Sequence, residues 1–267
     1  MTSSIQRRLG ALLLAACYCA TGFAAPTLPQ VVAGQATFNQ QGNVFSITNT
    51  PGAIINWQSF NIGAGEVTRF IQQSADSAVL NRVLGQDPTK ILGALQSNGK
   101  VFLINPNGIL FGQGARVDVN GLVASTLNIS DADFQAGRKR FQAGTVAGSV
   151  RNEGTIATPS GGQVFLIAPN VENTGIVTAP NGDVILAAGH SVQLVDSNDP
   201  DLRVELSAPA GQAINLGQVI AQGGRIGIYG ALVNQRGVVN ADSAVMGANG
   251  RVVLRASRAV ALDAGSV

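Results

Sequence analysis

Cysteine occurs at only two positions, Cys17 and Cys19, both within the first 24 residues. Once such a leader is removed, no disulfide can staple the chain and no thiol can do chemistry, so stability must rest on packing and hydrogen bonding. Charge is also sparse: charged residues make up 12% and aromatics 5% of the 267 residues. A disordered chain would be charged and poor in apolar residues, the opposite of this composition. Histidine is limited to His190, which sits near no acid or nucleophile motif and reads as a corner residue. One histidine and no mature cysteine all but exclude zinc. No Gly-x-Ser-x-Gly elbow is present. Gly112-x-Gly114 lacks the third glycine and the helix that a phosphate loop requires. No metal, cofactor or catalytic residue is therefore assigned, and the chain is expected not to be an enzyme.

The first 24 residues read as a Sec signal peptide. Arg7 and Arg8 are its basic region, Leu9–Ala20 its apolar stretch, and Ala24 the residue before cleavage. The stretch is short of the roughly 20 apolar residues that span a bilayer, and nothing after it comes close. Leu14-Ala15-Ala16-Cys17 offers a weaker lipobox reading. Removing two arginines and no acid leaves 15 basic against 15 acidic residues. A net charge of zero gives no argument for a nucleic-acid partner.

Glycine, asparagine, valine and isoleucine are abundant, which favours strands and turns. An Asn-x-Gly-x-Val/Ile unit followed by an apolar run begins near Asn152, Asn173, Asn215 and Asn234, at intervals of 21, 42 and 19 residues. The 42-residue gap reads as two units, with strands expected near Val164, Val184, Val204, Ile226 and Val252. A unit this short cannot bury its own apolar face, but stacked coils can. The expected fold is all-β, a parallel β-helix, with Asn152, Asn173 and Asn215 stacked as a ladder at one corner. Residues 26 to about 70 are expected to form an N-terminal β cap, with coils from about 100 to 267. The polar run Ser130–Phe141 is expected to protrude as an extra-helical hairpin.

Candidate sites are few. In "VFLINPNGILFG", Asn105, Pro106, Asn107 and Gly108 match a type I turn and Ile109 opens the next strand. "APN" recurs at residues 168–170 and 179–181, which favours a structural corner over a docking tag. "DSNDPDLR" (196–203) fits calcium poorly, since Pro200 breaks the ligand spacing and a closing glutamate is missing. Arg138, Lys139 and Arg140 are too few for strong polyanion binding. A carbohydrate-active β-helix enzyme would need Asp183, Asp196 and Glu205 to converge on one groove.

Trp57-Gln58-Ser59-Phe60-Asn61-Ile62-Gly63, "SAVLNRVLG" (77–85) and "ILGALQSNGKVFLINPNGILFGQGARVDVNGLVAST" (91–126) resemble the secretion domain of two-partner-secretion exoproteins, the filamentous haemagglutinin N-terminal domain family, with high-molecular-weight adhesins most similar. The resemblance implies a right-handed β-helix with an N-terminal cap over residues 25–267. It implies export by the Sec machinery and recognition by the POTRA domains of a cognate outer-membrane barrel transporter of the TpsB type. It places the protein at the surface of, or outside, a Gram-negative bacterium. Asn105-Pro106-Asn107-Gly108-Ile109 matches the family's second signature, whereas the first, Asn-Pro-Asn-Leu, is replaced by "FIQQ" (70–73). The implied role is secretion targeting and folding nucleation for a large surface adhesin, with any host receptor or glycan bound by a downstream region. A cytolysin or contact-dependent toxin carrying the same domain is the alternative. The last apolar stretch has no guarding proline and no cap, so Val267 is expected not to be a natural structural end.

Overall fold

The computed structural model describes residues 25–195, 203–207, 210–242, 250–264 and 266–267. Ala24 with the rest of the expected signal peptide, and Asp196–Leu202 of the acidic run, lie outside the described residues.

Each coil has three strands that stack on those of the next coil in parallel register. The middle strand makes the pattern clear. Ala53–Trp57 pairs with Ala78–Val83, which pairs with the second half of Ala94–Ile104. The stack continues through the second half of Arg116–Ser125, then Gln163–Ala168, Asp183–Ala188 and Arg225–Gln235. Alternate residues point inward, so Ala53, Val79, Val101, Leu122, Val164, Val184 and Ile226 form one interior column. The outward residues of this face are apolar too: Ile54, Leu80, Phe102, Val123, Phe165 and Ile185 belong to a second buried cluster. Burial on both sides explains why these strands read as continuous apolar runs rather than alternating ones.

Two features at the N-terminal end differ from expectation. Parallel stacking begins well before Lys100, because Val44–Asn49 already pairs in parallel with Val67–Ile71, and Ala53–Trp57 with Ala78–Val83. The cap is smaller, consisting of Gln30–Ala33 antiparallel to Ala53–Trp57 and the hairpin Ala36–Gln41 with Val44–Asn49. Aromatic rings fill this end. Trp57 meets Phe38, Phe45 and Phe60 edge-on at centroid distances of 5.7, 6.3 and 5.5 Å. Its indole N–H donates to Asn81 Oδ1 at 2.9 Å, which satisfies a polar group sealed inside the first coils.

The asparagine ladder forms. Asn152 Nδ2 donates to Asn173 Oδ1 and Asn173 Nδ2 to Asn215 Oδ1, both at 2.8 Å, and Asn215 Nδ2 donates to Gln235 Oε1 at 2.9 Å. The fourth member is Gln235, one residue after the Asn234 that begins the sequence echo. The glycine two positions after each rung has a steric role. A Cβ on Gly175 would lie 2.1 Å from the carbonyl oxygen of Gly154, and one on Gly217 would lie 2.0 Å from that of Gly175.

Because Asn173 stacks directly on Asn215, the 42-residue interval is one coil with an insertion, not two coils. The extra residues form an excursion, Ser191–Val195 antiparallel to Arg203–Ser207. Val204 therefore belongs to this excursion, opposite Leu194, and not to the helix wall. Ser130–Phe141 is not a hairpin by itself. It contains the short helix Asp131–Gln135, capped by the Ser130 side chain, and part of the strand Lys139–Gln142. That strand pairs with Ser191–Val195, completing a three-stranded antiparallel sheet. Both excursions leave the helix after the middle strand, beyond Ser125 and beyond Ala188. Phe134, Phe141, Val192 and Leu194 cover the outer apolar face of that strand stack.

Candidate functional site

The corner Asn105–Gly108 turns the chain from the middle strand into the third strand, Ile109–Phe111. It is the tight form of the corner from which both excursions emerge. The Gly108 amide donates to the Asn105 carbonyl at 3.2 Å, closing the expected turn. Asn105 Oδ1 accepts from the Asn107 amide at 3.0 Å, holding the turn from within. Gly108 has φ +126°, which favours glycine.

Both asparagines also reach back to the preceding coil. The fully buried Asn105 donates through Nδ2 to the Asp87 carbonyl and to Thr89 Oγ1, each at 3.0 Å. Asn107 Nδ2 donates to the Gly85 carbonyl at 2.8 Å. Gly85 and Asp87-Pro88 thus form the corner beneath. Forward contact is made by Pro106, whose carbonyl accepts from the Gly148 amide at 2.7 Å. The five motif residues are therefore brought together as one corner, with Ile109 buried in the core.

The outer side of the corner is open. Pro106 and Asn107 are half-buried and line a groove of about 420 Å³ with Leu84, Gly85, Thr126 and Val146. Leu84 and Val146 are 58% and 54% exposed. Sequence reasoning missed this pair, since neither belongs to a strand, and apolar residues outside the strand pattern were the only available signal.

Among the described residues, the other candidates do not assemble into a site. The two "APN" segments occupy different corners. Pro169 leads directly into the third strand Asn170–Asn173, whereas Asn181 has φ +52° in the corner between the first and middle strands. Neither repeats the turn at 105–108, so their recurrence carries no argument about it. Asp183 is held by Arg225 Nε at 2.8 Å and Nη2 at 3.2 Å, and accepts from Gln163 Nε2 at 3.1 Å. Glu205 lies in the second excursion opposite Gln193, and Asp196 is outside the described residues. His190 is exposed at the base of that excursion, with its amide donating to Ser207 and its carbonyl accepting from Ala143. In the basic run, Arg138 is paired with Asp133 at 2.6 Å. The Arg138 guanidinium, followed by the Ser130 hydroxyl, holds the Asp133 carboxyl below its ordinary value.

The family model described as TPS secretion domain matches residues 23–267. The chain belongs to the TPS secretion domain family. Members of this family are exported by two-partner secretion in Gram-negative bacteria, each with a cognate transporter. The crystal structure of the HMW1 secretion domain from Haemophilus influenzae is similar, with a TM-score of 0.82 and 38% identity, covering 86% of this chain and 62% of that one. Two heme/hemopexin-binding proteins of Haemophilus influenzae are 43% identical over 114 residues and 33% identical over 134 residues. These matches take in 41% and 50% of this chain but 13% and 14% of the relatives. The all-β parallel helix is thus the fold of a TPS secretion domain.

Proposed function

We propose that this TPS secretion domain heads a large surface adhesin and is recognised in the periplasm by the POTRA domains of its outer-membrane transporter. The signal peptide ending at Ala24 delivers it there through the Sec machinery. In this reading the Asn105–Gly108 corner is structural, and the groove it shapes is the contact surface. The observation that carries it is the juxtaposition of exposed Leu84 and Val146 with a corner fully bonded to the coils on either side. Catalysis has no part in the proposal. Asp183, the described member of the acidic set whose side chain is placed, is already neutralised by Arg225. The relatives named for heme and hemopexin favour a second reading of the whole exoprotein, in which a downstream region acquires haem rather than adhering to a host receptor or glycan.

The test separates fold from recognition. Leu84→Asp and Val146→Asp are expected to leave the unfolding midpoint unchanged and to lower affinity for purified POTRA domains at least about tenfold, as expected for central apolar contacts. Asn105→Ala is expected to lower stability. If the two aspartate variants bind normally while Asn107→Ala abolishes binding without loss of stability, the motif itself is the recognition tag and the structural reading fails.

A further inference from the structure

A cleft of about 200 Å³ lies between the outer face of the coils and the first excursion. We propose that it binds a small apolar carboxylate, about the size of a single-ring aryl acid. Its floor comes from successive coils, where Ala78, Lys100, Gly121 and Gln163 lie in register. Ala78 and Gly121 are small and leave space on either side of the lysine stem. A Cβ on Gly121 would lie 3.1 Å from Lys100 Cγ, so the glycine leaves room for that stem. The walls are apolar, with Phe102 and Val123 from the coils and Phe134 from the excursion helix. Phe102 and Phe134 meet edge-on at 5.1 Å, forming a rigid aromatic corner. Apolar cavities of about 150 Å³ admit benzene, so one ring with a short acid arm is the matching size.

The polar lining selects the sign of the ligand. Lys100, Arg138 and Lys139 stand among the lining residues, against one carboxylate, Asp76. Arg138 is engaged by Asp133. Lys100 is held by Asp76 at 3.2 Å, but the Asp76 side chain is 93% exposed. A pair this exposed is screened by water and holds the ammonium weakly. A carboxylate seated beside apolar walls, with less water around it, interacts more strongly with the same ammonium. Lys100 is therefore assigned to the ligand carboxylate, with Phe102 and Phe134 around the ring.

The probe is 4-(trifluoromethyl)benzoate, titrated into the purified chain and followed by fluorine NMR, with 4-(trifluoromethyl)benzamide as the neutral counterpart. The benzoate is expected to bind at least about tenfold more tightly than the benzamide, the size of one charge-assisted contact. Lys100→Met keeps the stem and removes the charge, and is expected to abolish that preference while benzamide binding stays unchanged. Ala78→Leu fills the floor and is expected to abolish binding of both. Equal affinity of the wild-type chain for the two probes would overturn the assignment, as would absence of benzoate binding at about 1 mM. A folded Lys100→Met variant that keeps the preference would do the same. If that variant does not fold, the wild-type comparison of the two probes decides alone.

Discussion

Asn105 and Asn173 illustrate how much this fold depends on buried amides. Asn105 is fully buried and its side chain bonds both its own turn and the coil beneath. Removing it strands the Asp87 carbonyl and the Thr89 hydroxyl. Asn105→Ala is expected to cost about 1–3 kcal/mol, the usual penalty for unsatisfied buried partners, as measured by urea denaturation. Asn173 is an interior rung of the ladder, so Asn173→Leu leaves Asn152 without its acceptor and Asn215 without its donor. The expected loss is about 3 kcal/mol, larger than for a terminal rung. Asp133 gives a pH-dependent readout. Its carboxyl is held below its ordinary value by Arg138 first and Ser130 second. The folded value lies below the unfolded one, so its contribution is complete above about pH 4 and disappears as pH falls through the folded value. Ser130→Ala is expected to raise the Asp133 midpoint in an NMR titration.

The two excursions behave as one added element. They leave at the same corner of different coils and meet where Lys139–Gln142 pairs with Ser191–Val195. Ser191 and Ser207 face each other across the second excursion, so a short Gly-Ser turn can replace the residues between them. The coil register does not depend on this loop, because Asn173 stacks on Asn215 and Asp183 on Arg225 directly. The replacement is expected to preserve the far-UV β signal. It should also lower the thermal midpoint and raise binding of a hydrophobic dye, because Phe165, Ile167 and Ile185 lose the cover of Val192 and Leu194. Loss of β signal in proportion to the coils would show that the excursion is needed to form them.

Across the whole molecule, stability is a chain of contacts between neighbouring coils, with the aromatic cap at one end. Trp57 is the single tryptophan and lies directly beneath that cap, against Phe38 and Phe45, so its emission reports on one end alone. Ending the chain after Asp242 is expected to leave its emission maximum unchanged while β content drops. Deleting Gln30–Asn49 removes the hairpin over Trp57 and is expected to red-shift it. Fluorescence and circular dichroism on the two truncations check both outcomes.

Much of this architecture was legible in the residues. Repeated Asn-x-Gly units, apolar runs bounded by glycine, and the Asn-Pro-Asn-Gly turn are local signals, each set by backbone sterics or by a side chain bonding its own turn. They determined the β-helix, the ladder and the corner at 105–108. Tertiary structure alone decided where coils end and excursions begin. Val184 and Val204 look alike in sequence, yet one stacks on Ile226 in the helix wall and the other faces Leu194 outside it. The reason is that an apolar strand is stabilised by any apolar face it can cover. The outer face of the middle strands offers a second such face, and only the three-dimensional register shows which one each strand takes. The groove beside Leu84 and the cleft over Lys100 are decided in the same way, because each is bounded by residues from separate coils that only stacking brings together.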